Sequence, residues 1–341
     1  MRIGTRAVSL VFSGALVVVA ACGNPGVAPA PVADGTAAPV EPAPAVVDPA
    51  EAKQLLLDFF AFQGTRQERA DQVIATDYVQ HNPRFLRVDA LTRATGNQAW
   101  VAAGDLAAQM NIRLVSLGGI RLRNPVILMA EGDLVTAIYR GNLPRPEDPA
   151  STYEAYAFET FRVRGGRVSE HWDQVRLTPG WMEPDFEPAP PDLPQPEPVA
   201  QPAPRSGCSA SPDDLDAAKA LALAALDPGD DVDMAARLAA LGDGFVSHSP
   251  AIARVADVGV LGNREAFAQA MASSVTGSGF GALAPRAAAL VTAECDYVTV
   301  VWRQPTVDPD DTSRTYEAFT FDTLRVEGGR LAEHWDSSTR S

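Results

Sequence analysis

The sequence is poor in the side chains that most often carry enzyme chemistry. Its 341 residues include four histidines, three cysteines and two lysines. The lysines, Lys53 and Lys219, lie in segments predicted to be helical and are expected to be solvated, which disfavours a Schiff-base enzyme. No cysteine stands beside a histidine, so a thiol nucleophile is not expected. Histidines and carboxylates form no dense ligand cluster, so a metal site is not favoured.

Positive charge and long apolar runs are scarce as well. The chain has 28 Lys and Arg against 43 Asp and Glu, a net charge of −15. Such an excess of negative charge repels phosphate backbones, so nucleic acid is not an expected partner. The extended apolar run at 7–21 is shorter than the roughly 20 residues of a membrane-spanning helix.

That run follows Arg2 and Arg6, and residues 1–21 are therefore predicted to be a cleaved export signal. The sequence Val-Ala-Ala-Cys at 19–22 resembles a bacterial lipobox. It predicts a lipid on Cys22 and an exported lipoprotein, anchored by that lipid alone to a cell-envelope membrane on its periplasmic or extracellular face. An ordinary cleaved signal with a stray cysteine is the alternative.

Two proline-rich stretches divide the rest of the chain. Residues 22–49 predict a disordered tether, and residues 183–207 predict an extended linker. The pieces on either side of the linker, 50–182 and 208–341, are each long enough to form a core. The sequence thus predicts two domains in tandem.

Two cysteines remain for the folded part of the chain, Cys208 and Cys295. In an oxidising compartment they are candidates for one disulfide that ties the start of the second domain to one of its strands. Two free buried thiols are the alternative.

The two predicted domains are copies of each other. The segment YEAYAFETFRVRGGRVSEHWDQV at 153–175 matches YEAFTFDTLRVEGGRLAEHWDSS at 316–338 with 14 identities in 23 positions. This likeness includes the Glu-His-Trp-Asp tetrad, and the motifs YVQHNP and FVSHSP form a second related pair. All four histidines therefore recur in equivalent motifs, as His171 with His334 and as His81 with His248.

The hydrophobic pattern predicts helices first and strands afterwards. Helices are predicted at 50–62, 67–77 and 98–110 in the first copy and at 215–226 in the second. Strands are predicted at 112–117, 126–129, 134–139, 153–163 and 168–175. This order is typical of an α+β domain whose helices pack on one face of a curved antiparallel sheet.

The last two strands are predicted to form a hairpin around Gly165 and Gly166, and its register decides which side chains share a face. A two-residue turn would pair Thr160 with His171, whereas a three-residue loop with a glycine bulge, the favoured form, would pair Glu159 with His171. A carboxylate–imidazole–carboxylate set on a buried face is able to move protons. The residues predicted to share that face are Glu159, Phe161, His171 and Asp173, and in the second copy Asp322, His334 and Asp336.

The motifs YVQHNP, AEGDLV and FRVxGGRVxEHWD resemble the SnoaL-like polyketide cyclases of the nuclear transport factor 2-like superfamily. The resemblance covers most of each copy. It implies two tandem cone-shaped α+β barrels, each with N-terminal helices packed on a curved antiparallel sheet around a cavity, and no cofactor. It also implies intramolecular aldol condensation, or the isomerase and dehydratase activities of relatives, on a small apolar or carbonyl-bearing molecule.

The same resemblance implies roles for individual residues. The acid/base aspartate of the cyclases maps to Asp173 and Asp336, and the histidine that lines the cavity maps to His81 and His248.

Some positions depart from the family pattern. Many members have Asp where this chain has Glu159, whereas the second copy keeps Asp322. The second copy has Ser249 in place of Asn82 and so lacks an amide donor. The first copy is therefore favoured as the active one.

The same side chains also have interpretations without catalysis. A structural hydrogen-bonded pair at a strand end is the alternative for His171 and Asp173, and His81 is equally a cap for the preceding helix. Trp172 and Trp335 are expected in a core or an interface. A metal site of His81, His171 and Asp173 has suitable ligand types but is not favoured.

Three hypotheses for function follow. The first is a cofactor-free enzyme that abstracts a proton alpha to a carbonyl, with Asp173 as the base and with Glu159, His171 and His81 positioning or donating protons. The second is a periplasmic binding module for an apolar small molecule. The third is a non-catalytic pseudo-dimer in which the two domains pair within the chain, which an extended linker of about 3.1 Å per residue is long enough to permit.

Overall fold

The described part of the chain belongs to one compact unit, Pro44–Ser341. The computed structural model describes residues 47–61, 72–84, 86–87, 125–177, 179, 210–226, 234–257, 261–276 and 286–338. The leader 1–21 with Cys22, most of the tether 22–49 and the linker 183–207 lie outside these residues. The predicted domain boundaries therefore stay predictions.

The described residues form a mixed α+β structure with few helices. The helices are α1 (Pro49–Ala61), α2 (Pro212–Leu226), α3 (Met234–Ala240), α4 (Pro250–Asp257) and α5 (Asn263–Thr276). Helix α1 and helix α2, the first helix of each half, both begin with a proline. Proline has no backbone N–H, and in the first turn of a helix that N–H would have no acceptor within the helix. Within the described residues, no helix has the length and apolarity needed to cross a membrane.

A five-stranded sheet follows α1, with strand order β1-β5-β4-β3-β2. All neighbours pair antiparallel except β1 and β5, which are parallel. The strands are β1 (Ile74–Gln80), β2 (Ile127–Glu131), β3 (Leu134–Arg145), β4 (Asp148–Arg164) and β5 (Arg167–Asp173).

A second five-stranded sheet has the equivalent order, β6-β10-β9-β8-β7, again with one parallel pair, β6 with β10. Its strands are β6 (Leu241–Ser247), β7 (Ala287–Glu294), β8 (Tyr297–Val307), β9 (Thr315–Glu327) and β10 (Arg330–Asp336). The internal repeat of the sequence therefore corresponds to a repeat of sheet topology.

Strand β1 corrects one element prediction. A helix was predicted over 67–77, but residues 74–77 belong to β1 and pair in parallel with β5. Helical spacing is a weak signal over so short a segment, and pairing with a strand distant in sequence overrides it. The predicted helix at 98–110 and strand at 112–117 lie outside the described residues.

The hairpin between β4 and β5 has a two-residue turn and a separate bulge. Arg164 pairs with Arg167 around Gly165 and Gly166, whose φ angles of 55° and 70° suit the type I′ turn. The register then shifts by one residue, because Ser169 has no partner on β4.

This combination makes both predicted pairings of His171 wrong. His171 pairs with Phe161, and Asp173 pairs with Glu159. The register differs by two residues from the favoured prediction, and the side-chain period of a strand is also two. The predicted shared face of Glu159, Phe161, His171 and Asp173 is therefore the observed one.

Helix α1 covers this face of the first sheet. Its buried residues Ala52, Leu56 and Phe59 belong to one core cluster with Tyr139 and Phe161 of the strands. The rings of Phe59 and Phe161 meet edge to face, with centroids 6.2 Å apart. The titratable side chains of this face are thus enclosed between a helix and a sheet.

The opposite faces of the two sheets contact each other. One hydrophobic cluster contains buried side chains of both halves, and the rings of Phe158 and Phe321 stack in it with centroids 5.6 Å apart. Trp172 and Trp335 lie in this cluster, as expected for core or interface residues. Its members are Ile127, Ile138, Tyr156, Phe158, Trp172, Val301, Phe319, Phe321 and Trp335.

Each lysine joins its own helix to the other half, so the expectation of solvated lysines is wrong. The ammonium of Lys53 lies 2.5 Å from Glu294 Oε1, and the other oxygen of that carboxylate accepts a hydrogen bond from the backbone N–H of Ala130 at 2.8 Å. The equivalent contact has the halves exchanged. The ammonium of Lys219 pairs with Glu131, and the backbone N–H of Ala293 donates to the other oxygen of that carboxylate.

Cys295 lies in the tight turn between β7 and β8. Its φ of 61° is in the left-handed region, and the equivalent turn of the first half has Gly132 there with φ 58°. Cys295 is disulfide-bonded. Its predicted partner, Cys208, lies outside the described residues, so the pairing of these two cysteines stays a prediction.

Candidate functional site

Three titratable side chains of the first half meet on the face that α1 covers. Glu159 comes from β4, and His171 and Asp173 come from β5 at alternate positions. All three are fully buried. One potential ligand atom from each lies within 4.8 Å of the others. The structure therefore brings together three of the four residues predicted for this site.

His171 is held at both ring nitrogens. Nε2 lies 2.5 Å from Glu159 Oε2, and Nδ1 lies 2.9 Å from Gln80 Oε1. The imidazole also stacks on the ring of Phe161, with centroids 4.5 Å apart. The orientation of His171 is thus fixed by polar contacts at its edge and by an apolar contact on its face.

Asp173 accepts hydrogen bonds at both oxygens. Asn82 Nδ2 donates to Oδ2 at 2.7 Å, and the backbone N–H of Val175 donates to Oδ1 at 3.1 Å. Hydrogen bonds of this kind favour a carboxylate over a carboxylic acid. Arg84 lies near enough to interact with Asp173; burial lowers the pKa of Arg84, and the charge of Asp173 partly opposes that effect.

The equivalent site of the second half has different partners. His334 Nε2 lies 2.8 Å from Asp322 Oδ1, and Trp302 Nε1 donates to Asp322 Oδ2 at 2.7 Å. Arg286 lies 3.5 Å from the same Oδ2 and 4.1 Å above the ring of Trp302. Burial acts to raise the pKa of Asp322, but the contacts with His334, Arg286 and Trp302 outweigh it and lower that pKa.

Asp336 completes the second set, and within the described residues no side-chain amide takes the place that Asn82 has beside Asp173. Its Oδ1 accepts from the backbone N–H of Ser338 at 3.0 Å and from the Ser338 hydroxyl at 2.6 Å. Ser249, which replaces Asn82, contacts the Ser338 hydroxyl at 3.1 Å. The predicted loss of an amide donor is therefore observed, and Asp336 is engaged by its own strand end.

His81 does not join the buried set, which corrects the expectation that it converges with Asp173. Its ring stacks on Trp172 with centroids 4.9 Å apart, on the opposite face of the sheet. Adjacent residues of a strand point to opposite faces, so Gln80 reaches His171 and His81 turns away. His248 is equivalent, stacking on Trp335 at 4.8 Å. Any role of His81 or His248 at the buried sites is indirect in this structure.

His81 and His248 each form a hydrogen-bonded series with a glutamate and an arginine of the same sheet. His81 Nε2 lies 2.8 Å from Glu170 Oε1, and Arg162 Nε donates to Glu170 Oε2 at 2.7 Å. Burial acts to raise the pKa of Glu170, but the hydrogen bonds from His81 and Arg162 outweigh it and lower that pKa. Glu333 has the same arrangement with His248 and Arg325, and its pKa is lowered for the same reasons.

These lowered pKa values predict a pH-dependent stability difference between the wild type and the variant Glu170→Gln, Glu333→Gln. A carboxylate with a depressed folded pKa stabilises the fold above its unfolded pKa, and this contribution is lost as the pH falls through the folded value. We expect the variant to be less stable at pH 7 by about 1 kcal/mol per site, and the gap to close below pH 4.5, the ordinary value for Glu. Urea denaturation from pH 3 to pH 7 measures the gap. Glu317→Gln, at an exposed pair, serves as the control, and a gap that does not change with pH would contradict the prediction.

Sequence reasoning missed Gln80 as a site residue. Gln80 precedes His81 in the motif YVQHNP, which directly follows the helix predicted over 67–77. The available signal was the residue's position immediately before the histidine and two before Asn82. If the motif had been treated as a strand end, alternation would have placed Gln80 and Asn82 on the side opposite His81.

Comparisons with known proteins give structural neighbours but no family assignment. No family model matches the chain. No curated protein matches it either. A candidate SnoaL-like polyketide cyclase from Jannaschia sp. CCS1 is 17% identical, with 38% of this chain and 90% of that chain covered and a TM-score of 0.26.

Two further solved structures match this chain with similar identity, coverage and TM-score. A hypothetical protein from Catenulispora acidiphila with a ketosteroid isomerase-like fold, in complex with trimethylamine, is 13% identical and covers 38% of this chain and 88% of its own, with a TM-score of 0.23. AclR from Streptomyces galilaeus, a candidate hydroxylase, is 16% identical and covers 36% and 78%, with a TM-score of 0.25. Each match spans little more than a third of this chain.

Proposed function

We propose that this protein is a cofactor-free acid–base enzyme that removes a proton alpha to a carbonyl, as an aldol-type cyclase, an isomerase or a dehydratase. The observation that carries the proposal is the buried set of Glu159, His171 and Asp173 on one sheet face. General acid–base catalysis requires a base and a proton donor within reach of one substrate, in a place from which water is largely excluded. Asp173 supplies the base and the Glu159–His171 pair supplies the proton donor in this proposal, and the burial of all three under α1 supports the exclusion of water.

Asp173 is the base in this proposal. Hydrogen bonds from Asn82 and from the backbone N–H of Val175 favour its ionised form, which is the form that accepts a proton. Glu159 and His171, linked by their 2.5 Å contact, supply or accept the second proton. The substrate class is a small apolar or carbonyl-bearing molecule, because the rest of this face is lined by apolar side chains such as Phe161 and Tyr139.

The first half is the active one in this proposal. Asp322 of the second half takes the place of Glu159, and its contacts with Trp302, Arg286 and His334 hold it ionised, so it has no proton of its own to supply. Two equivalent sheets support a frame of two tandem nuclear transport factor 2-like domains. We keep the lipid anchor on Cys22 and the cell-envelope location as parts of the same proposal, which rest on the sequence alone.

The test is exchange of substrate protons for deuterium. The full mature chain is incubated in D₂O with a panel of decalones and aryl ketones beside an enzyme-free control, and α-deuteration is followed by mass spectrometry. We expect exchange with the wild type and a loss of at least about 100-fold in Asp173→Asn. The matched variant Asp336→Asn is expected to retain the wild-type rate.

The other outcomes are equally informative. Saturable binding of a panel member without exchange, with affinity altered in Asp173→Asn, would replace the enzyme proposal by a binding module for apolar molecules. If neither exchange nor binding is observed, the pairing of the two halves remains as the proposed function. That last possibility has its own support in the hydrophobic cluster to which both sheets contribute, and we propose this pairing within the chain whether or not the site is catalytic.

A further inference from the structure

The protonation of His171 follows from the contacts of Gln80. Gln80 ends β1 and lies beside His171 in the parallel register of β1 and β5. Its Oε1 is 3.0 Å from the backbone nitrogen of Asn82 and 2.9 Å from His171 Nδ1. Its Nε2 is 3.1 Å from the hydroxyl of Tyr78. All polar atoms of the Gln80 amide therefore have a described partner.

The backbone of Asn82 decides which way this amide points. A peptide N–H is a donor only, so the Gln80 atom that faces Asn82 must be the carbonyl oxygen. The same oxygen faces His171 Nδ1. An oxygen of this kind accepts and does not donate, so Nδ1 of His171 must carry a proton.

A proton on Nδ1 changes what the other end of the ring requires. In a neutral imidazole with Nδ1–H, Nε2 is an acceptor. It faces Glu159 Oε2 at 2.5 Å, and an ionised carboxylate is also an acceptor only. Two acceptors do not approach to this distance, so one proton lies between them. The pair is then either imidazolium with carboxylate or imidazole with carboxylic acid, and in both forms it holds one proton in addition to that on Nδ1.

The second half provides a comparison within the same chain. Ser247 takes the place of Gln80 beside His334, and its Oγ lies 3.0 Å from His334 Nδ1. A hydroxyl donates or accepts as its neighbour requires, so it leaves the protonation of Nδ1 open. Asp322, an ionised acceptor, then takes its hydrogen bond from a proton on His334 Nε2. The two histidines are therefore held in different ways.

We propose that Gln80 is a positioning residue that fixes His171 with a proton on Nδ1 and thereby makes the Glu159–His171 pair a proton store next to Asp173. His334 has no such constraint and is the Nε2–H form when neutral. The catalytic meaning of the store rests on the proposed function, but the protonation of His171 does not. The Glu159–His171 pair then supplies the proton donor that a base at Asp173 needs to complete a proton transfer.

The test is the protonation pattern of the four histidine rings by long-range ¹H–¹⁵N correlation spectra of the full mature chain labelled at histidine. The variants His81→Gln and His248→Gln, at outward rings, identify two of the four spin systems, and Gln80→Leu identifies the third by its change. We expect His171 in the wild type to carry a proton on Nδ1 at every pH at which the protein is folded. In Gln80→Leu we expect the neutral Nε2–H form at pH 8, because the carboxylate of Glu159 then receives its hydrogen bond from Nε2.

Two further variants guard against an effect of misfolding. Gln80→Glu keeps an acceptor toward both Asn82 and His171, so it is expected to retain the wild-type pattern. Ser247→Ala in the second half is expected to leave the protonation of His334 unchanged. If Gln80→Leu fails to fold, the chemical-shift change that Ser247→Ala causes in the His334 ring identifies His334. His171 is then the remaining spin system, and the wild-type spectrum still decides the matter.

The outcomes that overturn the proposal are distinct from failure of the proposed function. A wild-type His171 protonated at Nε2 alone would overturn it, and so would a folded Gln80→Leu variant with an unchanged pattern. Absence of deuterium exchange with every ketone would remove the catalytic meaning and leave the protonation result standing. Where exchange is observed, Gln80→Leu is expected to change its pH profile, which a purely structural role of Gln80 would not do.

Discussion

Replacing Glu159 by alanine is expected to lower the free energy of unfolding by about 3–5 kcal/mol. Glu159 is fully buried, and its Oε2 is 2.5 Å from Nε2 of the equally buried His171. Removing one member of a buried hydrogen-bonded pair leaves the other desolvated, and the missing side chain also leaves a cavity in the cluster around Phe161. Urea denaturation at pH 7, followed by circular dichroism, measures the loss.

A double substitution separates stability from function. In Glu159→Leu, His171→Leu both polar groups are gone, so no desolvated partner remains, and we expect most of the lost stability to return. Glu317→Ala, at an exposed pair, is the control and is expected to change stability by less than about 0.5 kcal/mol. A Glu159→Ala variant as stable as wild type would show that the pair contributes nothing to the fold. A stable but inactive double variant would show that the pair is retained for chemistry.

The second large effect concerns the contact between the two sheets. Phe158→Ala is expected to lower the free energy of unfolding by about 3–5 kcal/mol. Phe158 is fully buried in the cluster to which both halves contribute, and its ring stacks on Phe321 at 5.6 Å. Because the cluster belongs to both sheets, we expect the loss to appear in the second half as well. Hydrogen exchange of the β8 and β9 amides, measured in the full chain, detects this effect on the half that was not mutated.

A double-mutant cycle gives the size of the coupling. Phe158→Ala, Phe321→Ala and the double variant are compared, and a stacked pair is expected to give a coupling free energy of about 0.5–1.5 kcal/mol. Val307→Ala, at a side chain that is more than half exposed, is the control. Additive effects, together with unchanged exchange in β8 and β9, would mean that the halves unfold independently and would contradict the proposed pairing.

The buried site could be predicted from the sequence because it depends on alternation. Glu159, His171 and Asp173 share a face in any register that differs by an even number of residues. The predicted loop was wrong and the observed turn has two residues with a bulge at Ser169, yet the two differences together shift the register by two. The grouping of side chains was therefore robust to an error that changed every individual pairing.

The placement of His81 could not be predicted in the same way. It depends on β1, whose partner β5 lies about 90 positions further along the chain at Gln80 and His171. Local pattern favoured a helix for part of this segment, and helical periodicity gives no alternation between neighbours. Without the strand, His81 and Gln80 could not be assigned to opposite faces, and the histidine was the more conspicuous of the two.

The two lysines illustrate a different limit. Each lies on the first helix of its half. Asp216, three residues before Lys219, is a local partner at 3.7 Å, but nothing in the local sequence of either lysine indicates a partner in the other half. The partners are Glu294 and Glu131, which occupy equivalent positions before a tight turn in the two halves. Contacts between distant segments of this kind follow from the arrangement of the sheets, which local periodicity does not contain.

The reciprocal contacts of Lys53 with Glu294 and of Lys219 with Glu131 have a consequence for how the two sites can differ. In an assembly of two identical polypeptides, every substitution is present twice, and a change that harms one pocket harms both. Here the two-fold arrangement is closed inside a single polypeptide, so the second partner is supplied at a high effective concentration that dilution does not alter. The buried side chains of each half are encoded separately, and a glutamine at 80 can coexist with a serine at 247. The buried side chains of one half are thereby free to change while those of the other half stay as they are.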